Sequence, residues 1–331
     1  MKEKNNANER TEAVILKALI SNRDSFISGE ELARRTNVSR SAVWKVVSNL
    51  RKKGYSIEAL PKRGYKLLPN DDMISEAKIK KYMHLYAAEV SVRLFDSVDS
   101  TNTVARELAE KGLLQFTTVL AEEQTKGRGR MGRSFYSPAG TGIYMSIILR
   151  PTLSPEKTLY ITTAAAAACA EAIESVFGLK TEIKWVNDVL CNGKKVCGIL
   201  TEGSFNGQGA LSYAILGIGI NVFPPKDGFP KEIDGIASHL TDQPMHEHRC
   251  RLIAEILERF IFYYKDLEAK PFMKSYRRRL CWIGEKINVI SGEQKRPATL
   301  TGLSENLELE VLFDDGARGL ISSGEVSIRK S

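Results

Sequence analysis

Hydrophobic positions in the first 55 residues recur every three to four residues, which predicts three helices. The first spans residues 11–22, and its apolar face carries Val14, Ile15, Ala18 and Leu19. The second begins with a capping box at Ser28, since a glutamate follows three residues later. After a tight turn at residues 36–38, Ser39 caps a third helix that runs to about Lys53. The buried stripe of this third helix consists of Val43, Val46, Val47 and Leu50.

The third helix also has a polar, basic face that contains no acidic residue. Four residues at i, i+4, i+7 and i+11 share it: Ser41, Lys45, Ser48 and Lys52. Helix, short turn and a helix with an exposed basic face predict a helix-turn-helix whose second helix can enter a DNA major groove. Trp44 borders the buried stripe and is interpreted as the edge of the core, with a contact to a DNA base as the alternative.

A β-hairpin is predicted directly after the third helix. Its strands are residues 55–58 and 64–67, and the turn between them holds Lys62 and Arg63. Such a hairpin is a wing whose basic tip can meet phosphates. The candidate DNA-binding residues are therefore Ser39, Arg40, Ser41, Lys45, Ser48, Lys52, Lys62 and Arg63.

Charge supports this interpretation of the N-terminal segment. The 331-residue chain carries a net charge of +8, and residues 1–70 hold 15 Lys/Arg against 7 Asp/Glu. The remainder is balanced, with 33 residues of each sign, so the whole excess lies in the first segment. A concentrated positive field favours polyanions, although a merely soluble basic surface is the alternative.

Beyond a linker at residues 69–72, strands and helices alternate, and this mixture predicts an α+β domain with hairpins in its sheet. The expected helices are residues 79–85, residues 103–111 with a cap near Asn102, and an alanine-rich helix around residues 164–169. The expected strands are residues 92–95, 117–121, 142–149, 182–185, 196–202 and 211–220. A helical stretch ends near Arg279, and short strands follow at residues 286–290, 296–300 and 308–313.

Composition describes an ordinary globular protein of two or three domains. Hydrophobic residues make up 43% and charged residues 27%. No apolar run reaches the roughly 18 residues of a membrane span, and the polar start has no apolar core of a signal peptide. Five cysteines, an odd number without paired spacing, fit reduced thiols. These features predict a cytoplasmic protein.

The loop Gly127–Gly132 is the strongest candidate for chemistry. Its glycines fit the dinucleotide pattern G-x-G-x-x-G, but no helix follows them and no acid stands about 20 residues on, which excludes that reading. Three arginines, Arg128, Arg130 and Arg133, supply forked donors for carboxylate or phosphate oxygens. The loop is therefore predicted to grip an anion and to become ordered over it, with a basic surface loop as the plain alternative.

Two other clusters are weaker. His246, Glu247, His248 and Cys250 match no zinc spacing, and a solvated loop is the favoured interpretation. Cys191 and Cys197 carry no metal or nucleophile signature, and no Ser-His-Asp arrangement stands out.

Six segments in a fixed order resemble the biotin protein ligase family, specifically the bifunctional type that also represses biotin genes. They are residues 97–102 (Ser-Val-Asp-Ser-Thr-Asn), 121–138 (which include the loop), 184–188 (Lys-Trp-Val-Asn-Asp), 193–200, 217–222 and 323–329. The resemblance spans nearly the whole chain, including the winged helix. One such motif is weak, but the ordered set is highly specific.

The resemblance implies three domains. Residues 1–70 are expected to form a winged helix-turn-helix DNA-binding domain. Residues 71–280 are expected to form the biotin- and ATP-binding catalytic domain, a mixed sheet with flanking helices of the class II synthetase-like biotin/lipoate ligase fold. Residues 281–331 are expected to form an SH3-like β-barrel.

The family's reaction, implied for this chain, has two steps. The carboxylate of biotin attacks the α-phosphate of ATP and gives biotinyl-5'-AMP, and a lysine of a biotin carboxyl carrier domain then takes the biotin. Cations are needed where two anions meet, and Mg²⁺ screens the ATP phosphates. The catalytic residues implied by the matching motifs are Lys195, Arg128, Arg130 and Asp188. Asp188 is expected to orient or deprotonate the incoming lysine.

Ligand contacts are implied in the same way. Hydroxyls and amides near the biotin head group can pair with the donors and acceptors of a ureido ring. The implied biotin-binding residues are Ser100, Thr101, Asn102, Gln124, Arg128, Gly129, Arg130 and Lys195. The implied nucleotide-binding residues are Arg130, Phe135, Lys184, Asn187, Asn221 and Arg329.

Three residues depart from the family pattern. Met131 stands where a further arginine is common, Val186 replaces a proline, and Phe135 replaces a tryptophan. They are expected to weaken retention of the intermediate, loosen the 184–188 turn and weaken stacking near the adenine, respectively. None removes a charged group assigned to chemistry.

The implied partners are a carboxylase carrier domain, operator DNA and, when ligand is bound, a second copy of the chain. Two alternatives remain open at the level of sequence. One is a ligand-sensing transcription factor with an inactive enzyme core, against which the retained Lys195 and loop arginines argue. The other is lipoate or another acid as substrate, which would not need the polar set from Ser100 to Asn102 with Gln124.

Overall fold

The computed structural model describes residues 2–22, 25–52, 55, 57–68, 72–152, 158–205, 211–242, 247–291, 294–322 and 326–330. The chain divides into two compact units. The first consists of Met1–Ile74 and Gln243–Cys250, and the second of Ser75–Asp242 and Arg251–Ser331. The finer division at residues 70 and 280 stays a prediction.

The first unit has three helices followed by a hairpin, which is the predicted winged helix-turn-helix. Its elements are α1 (Lys2–Ser21), α2 (Gly29–Thr36), α3 (Arg40–Lys52), β1 (Ile57–Leu60) and β2 (Gly64–Leu67). Helix α1 begins nine residues earlier than predicted, because residues 2–10 are polar and give no apolar period. Helix α2 starts as predicted, with the amide of Glu31 donating to Ser28 Oγ at 3.1 Å. The antiparallel strands β1 and β2 form the wing.

The core of this unit is made by one face of each helix and by the hairpin. All four residues of the predicted α3 stripe, Val43 to Leu50, are buried, as are Ile15 and Leu19 of α1. Two assignments were wrong. Val14 is 38% exposed, and Trp44 is 60% exposed instead of forming the core edge. Successive side chains of an α-helix are rotated by about 100° around its axis. The Trp44 side chain therefore points about 100° away from the buried side chain of Val43.

The predicted solvated loop at residues 246–250 is also corrected. His246 lies outside the described residues, but Glu247, His248 and Cys250 are all buried. The adjacent Arg249 is buried with them, and its guanidinium donates to the carboxylate of Asp72 at 2.7 Å. The described residues contain no group of three or more His, Cys, Asp or Glu side chains that would hold a metal ion.

The second unit is built on a seven-stranded mixed sheet with strand order β3-β4-β5-β9-β8-β7-β6. Its strands are β3 (Ser91–Val98), β4 (Thr117–Gln124), β5 (Gly142–Leu149), β6 (Glu182–Lys184), β7 (Asp188–Cys191), β8 (Lys194–Phe205) and β9 (Leu211–Asn221). Strands β3 and β4 are parallel, and the other pairs are antiparallel. The sequence missed β7, because Asn187 and Asp188 resembled a turn.

Five helices accompany the sheet: α4 (Glu76–Lys81), α5 (Thr101–Glu110), α6 (Thr158–Phe177), α7 (His248–Tyr264) and α8 (Met273–Arg279). Helix α4 lies earlier than the predicted residues 79–85 because Ser75, whose Oγ accepts from the amide of Lys78 at 3.3 Å, caps it. Helix α5 has Ser100 at its N-cap position, not Asn102.

Helix α6 corrects the expectation that no segment resembles a membrane span. In the described part of the chain it is long and apolar enough to qualify by length and composition, but 72% of its apolar window is buried. Its run Ala164–Ala168 is fully buried, since alanine lets a helix pack closely on a sheet. It is therefore the core helix of this unit. All five cysteines are free and buried, as expected of reduced thiols.

The C-terminal part of this unit is a five-stranded antiparallel sheet with order β13-β12-β11-β10-β14, consistent with an SH3-like domain. Its strands are β10 (Lys286–Ser291), β11 (Gln294–Leu303), β12 (Leu309–Phe313), β13 (Arg318–Ile321) and β14 (Val326–Lys330). The seven-stranded sheet meets it where Trp185 Nε1 donates to the carbonyl of Leu307 at 2.9 Å.

Candidate ligand-binding site

A narrow pocket opens at the N-terminus of α5, between strands β8 and β9 and the loop Gly127–Gly132. Every residue predicted to contact biotin lines it: Ser100, Thr101, Asn102, Gln124, Arg128, Gly129, Arg130 and Lys195. These residues come from four separate segments of sequence, and the sheet brings them together. Their roles as ligand contacts stay a prediction.

Hydrogen bonds fix the polar floor of the pocket. Gln124 Oε1 accepts from both the amide (2.9 Å) and the hydroxyl (3.0 Å) of Thr101, and Gln124 Nε2 donates to Ser137 Oγ at 2.9 Å. The hydroxyl of Ser146 lies 2.6 Å from Asn102 Oδ1, in the fully buried centre of β5. Because each group already has protein partners, the floor is rigid and its donors and acceptors are oriented before a ligand arrives.

Glu202 on β8 is the residue that sequence reasoning missed. Its carboxylate accepts from Asn102 Nδ2 at 2.7 Å and forms ion pairs with Arg106 at 3.1 Å and Arg128 at 3.2 Å. The side chain is 19% exposed. An acidic residue inside a strand of buried hydrophobics was the available signal, since burying a carboxylate requires partners. One carboxylate thus orients the amide of the pocket floor and offsets the charge of a loop arginine.

Lys195 and Asp188 form the cationic side of the pocket. Lys195 Nζ lies 2.6 Å from Asp188 Oδ1 across the β7–β8 pair. The contact is an ion pair by distance, but it is not aligned as a hydrogen bond. The Lys195 side chain is 34% exposed, so its ammonium can still reach a ligand.

Arg130 is held at the loop end of the same pocket. Its Nη1 donates to Asn187 Oδ1 at 3.1 Å, and Asn187 Nδ2 donates to the carbonyl of Ile199 at 2.8 Å. Burial lowers the pKa of the Arg130 guanidinium, and the negative charge of Asp188 opposes that shift. An arginine remains charged at neutral pH despite such a shift. Three cationic side chains therefore line the pocket, with Arg128 paired to Glu202, Lys195 to Asp188 and Arg130 hydrogen-bonded to Asn187.

Two glycines make room for polar and aromatic side chains in the pocket. A Cβ on Gly217 would lie 2.3 Å from Asn102 Oδ1, and a Cβ on Gly219 would lie 2.6 Å from the ring of Phe135. The Phe135 ring therefore lies directly against the β9 backbone, with Tyr144 edge-on at 6.4 Å between ring centroids.

In the 184–188 turn, Val186 is packed among its neighbours, and the expected loosening of this turn stays a prediction. Val186 is 2% exposed, and its carbonyl accepts from the hydroxyl of Tyr276 at 3.1 Å. Burial raises the pKa of Tyr276 well above its ordinary value, so this hydroxyl remains a donor. Met131, in contrast, is 57% exposed with a positive φ of 55°.

A larger cavity of about 1030 Å³ adjoins the narrow pocket. The residues that line both are Arg128, Gly129 and Arg130 of the loop and Ile199 and Leu200 of β8. Its other walls are the start of α6, strand β8 and three residues of the C-terminal sheet segment, Asn306, Glu308 and Ser322. The loop Gly127–Gly132 thus separates two cavities, and its arginines face both.

The predicted nucleotide contacts are less concentrated. Phe135, Asn187 and Arg130 line the narrow pocket. Lys184 instead lies over the ring of Trp282 at 5.4 Å, and Asn221 Nδ2 donates to the carbonyl of Ser238 at 3.0 Å. Neither Lys184 nor Asn221 lines the two cavities. The backbone of Arg329 lies in β14, but its side chain is outside the described residues.

The predicted DNA contacts lie on one unit and mostly on its surface. Ser39 Oγ caps α3, accepting from the amide of Ala42 at 3.2 Å. Ser48 is half-buried, and Arg63 stacks over the ring of Phe26 at 4.5 Å. The Lys52 side chain is outside the described residues. The exposed members of the set are Ser39, Arg40, Ser41, Lys45, Lys62 and Arg63.

Comparison with known proteins agrees with the division of the chain into a DNA-binding unit and a ligand-binding unit. A family model described as "Biotin/lipoate A/B protein ligase family" matches residues 94–221, and an "HTH domain" model matches residues 11–66. The bifunctional ligase/repressor BirA of Bacillus spizizenii is 38% identical over 278 residues, which cover 84% of each chain. The chain belongs to the BirA family of bifunctional ligase/repressors.

Two further proteins are similar to this chain. BirA of Escherichia coli strain K12 is 24% identical over 330 residues, covering 98% of this chain and 99% of that one. The biotin protein ligase from Aquifex aeolicus, solved in complex with biotin and ATP, is 30% identical with a TM-score of 0.59. The match covers 73% of this chain and 99% of that one.

Proposed function

We propose that the chain is an ATP-dependent biotin protein ligase that also represses transcription of genes for biotin synthesis or transport. The observation that supports the ligase most strongly is the convergence of all the predicted biotin contacts on one pocket beside the arginine loop. The winged helix-turn-helix with its excess of positive charge supports the second activity.

In the proposed first step, a carboxylate oxygen of biotin forms a bond to the α-phosphorus of ATP, and the bond to pyrophosphate breaks. Two anions must approach each other, so the barrier falls when cations are already in place. Lys195, Arg128 and Arg130 supply these charges. Pairing with Glu202 and Asp188 keeps two of them oriented until the ligand competes for them.

In the second step, a lysine amine of a biotin carboxyl carrier domain attacks the acyl carbon of biotinyl-5'-AMP, and AMP leaves. The amine must lose a proton, and we assign Asp188 to orient or accept it. The biotin head group is assigned to the polar floor from Ser100 to Asn102 with Gln124. There hydroxyl and amide groups, oriented by their protein partners, suit the donors and acceptors of a ureido ring.

ATP is assigned to the region where the two cavities share the loop arginines. Arg130 and Asn187 are hydrogen-bonded to each other there, and the larger cavity leaves space for phosphates. We propose that Mg²⁺ arrives with the ATP phosphates rather than in a protein cage, which is how this ion is commonly held.

The partners follow from the two activities. We propose a cytoplasmic protein that meets a carboxylase carrier domain at the enzyme site and operator DNA at the winged helix. Two copies are proposed to dimerise when ligand is bound, because a dimer presents two recognition helices to two half-sites.

The test of the ligase is ATP–pyrophosphate exchange with biotin, lipoate and octanoate supplied separately. Biotin alone should support exchange, because the polar floor is built for a ureido ring that the other two acids lack. Exchange with lipoate or octanoate would assign a different acid to the same fold. Absence of exchange with all three would favour a transcription factor with an inactive core.

A further inference from the structure

Trp44 is a large apolar side chain on the surface where a polar one is expected. It lies in α3, the helix predicted to enter the major groove, and it is 60% exposed. Its neighbours Arg40, Ser41 and Lys45 are exposed as well, and α3 contains no acidic residue. The indole therefore lies between the basic face of the helix and the border of the stripe from Val43 to Leu50.

Within the described residues, no other ring and no cation covers the Trp44 indole. Among the ring contacts of the described residues, none involves Trp44. The contrast within the same unit is Phe26, whose ring is half-buried and covered by Arg63 at 4.5 Å and Lys66 at 5.9 Å. Contact with an apolar group outside the unit would remove this indole surface from water, and on a helix predicted to enter the major groove that group belongs to DNA.

The major groove offers one apolar group among the base edges, the C5 methyl of thymine. We propose that Trp44 determines sequence specificity by contacting thymine methyl groups in the major groove. Lys45 and Arg40 beside it supply the phosphate attraction that brings the helix to the duplex. The proposal rests on the proposed DNA-binding function and adds that α3 recognises thymine.

Replacing single thymines by uracil tests the contact, because the change removes only the methyl group. The duplex is selected from a randomised library with the full chain in the presence of biotin and ATP. Affinity is then measured for every single dT-to-dU duplex, with the natural sequence and with Trp44→Ala. At one or a few thymines, uracil should weaken binding by about fourfold, which corresponds to burying one methyl group at ~0.8 kcal/mol.

Trp44→Ala should bind the thymine and uracil duplexes equally at those positions, since the partner of the methyl is gone. The matched control is Val14→Ala, which removes exposed apolar surface from α1 and should keep the fourfold difference. Both substitutions are on the surface and should leave the melting temperature almost unchanged. Trp44→Phe, which keeps an aromatic face, should retain part of the difference.

The outcomes separate the two claims. If uracil weakens DNA binding of the natural chain and of Trp44→Ala equally, the proposed methyl contact is wrong. The same holds if uracil has no effect on binding at any position. In both cases the DNA-binding function stands. If the library yields no duplex, the DNA-binding function itself fails and the contact fails with it.

Discussion

At the scale of single residues, Lys195 carries the largest share of the proposed chemistry. Lys195→Ala should lower biotin-dependent ATP–pyrophosphate exchange by about 10²–10³-fold, the usual cost of losing one charge-stabilising donor. The matched control is Lys194→Ala, which removes an exposed lysine one position away and should leave exchange unchanged. Equal exchange in the two variants would show that the Lys195 ammonium has no part in the reaction.

Glu202 gives a second residue-scale prediction, since its carboxylate orients Asn102 and pairs with two arginines. Glu202→Ala leaves the Asn102 amide without an acceptor, at a cost of about 1–3 kcal/mol, so the KM for biotin should rise about tenfold or more. Glu202→Gln keeps an acceptor oxygen for Asn102 and should raise it less. Steady-state exchange at varied biotin concentration measures the KM of both variants. An equal rise of the KM in Glu202→Ala and Glu202→Gln would refute the orienting role of Glu202.

These two residues also show what sequence could and could not predict about the site. Lys195 was found because it lies in a motif of ordered residue types. Glu202 was missed because its partners Asn102 and Arg128 lie 100 and 74 positions away, where only the sheet brings them together. Trp44 was misplaced because it lies at the border of the apolar stripe, where residue type favours burial and helix geometry decides against it.

At the scale of elements, a bidentate ion pair between Arg279 of α8 and Glu174 of α6 joins these two helices. Arg279 Nε donates to Glu174 Oε1 at 2.9 Å, and Arg279 Nη2 donates to Glu174 Oε2 at 2.5 Å. These bonds, with Thr181, lower the pKa of Glu174 from 4.5 to about 2. A lowered carboxyl pKa adds stability that is complete above the unfolded-state pKa and is lost as pH falls through the folded-state pKa.

Glu174→Gln should therefore lower the free energy of unfolding at pH 7, and the difference from the natural chain should shrink between about pH 4.5 and pH 2. Urea unfolding of the larger unit, followed at several pH values, measures it. A difference that stays constant down to pH 2 would mean that the carboxylate charge is not what joins the two helices.

Helix α3 allows an element-scale test of DNA binding. Lys45→Ala removes one exposed charge from the recognition helix, so it should weaken binding to all duplexes similarly. The slope of log affinity against log salt should fall by about 0.9 in magnitude. Lys17→Ala on α1 makes the same change in net charge at an exposed site off the recognition helix, and its slope should match the natural chain. Identical slopes for both variants would exclude α3 from the phosphate contacts.

The sequence predicted helices and strands correctly where one face of the element is apolar. The prediction failed where no face is apolar. Strand β5 and the α3 stripe follow directly from hydrophobic positions. The polar start of α1 and the short strand β7 carry no such pattern. The start of α4 depends on the Ser75 cap, a local hydrogen bond that the apolar period does not report.

At the scale of the whole molecule, contacts between distant segments escape sequence reasoning where no motif connects the two residues. The buried pair Asp72 and Arg249 joins positions 177 residues apart, and it turned a predicted solvated loop into part of the first unit. Burial raises the pKa of Asp72 despite the nearby guanidinium. The order of the large units, in contrast, was predictable, because charge and motif content change along the chain.

The central claim is that one chain links activation of biotin to DNA binding. Its most direct test is the affinity of the full chain for a selected duplex at physiological salt, with and without biotin plus ATP. The account predicts clearly tighter binding when both are present and no gain from either alone, because only biotinyl-5'-AMP is proposed to order the Gly127–Gly132 loop and favour the dimer. An affinity unchanged by biotin plus ATP would contradict it.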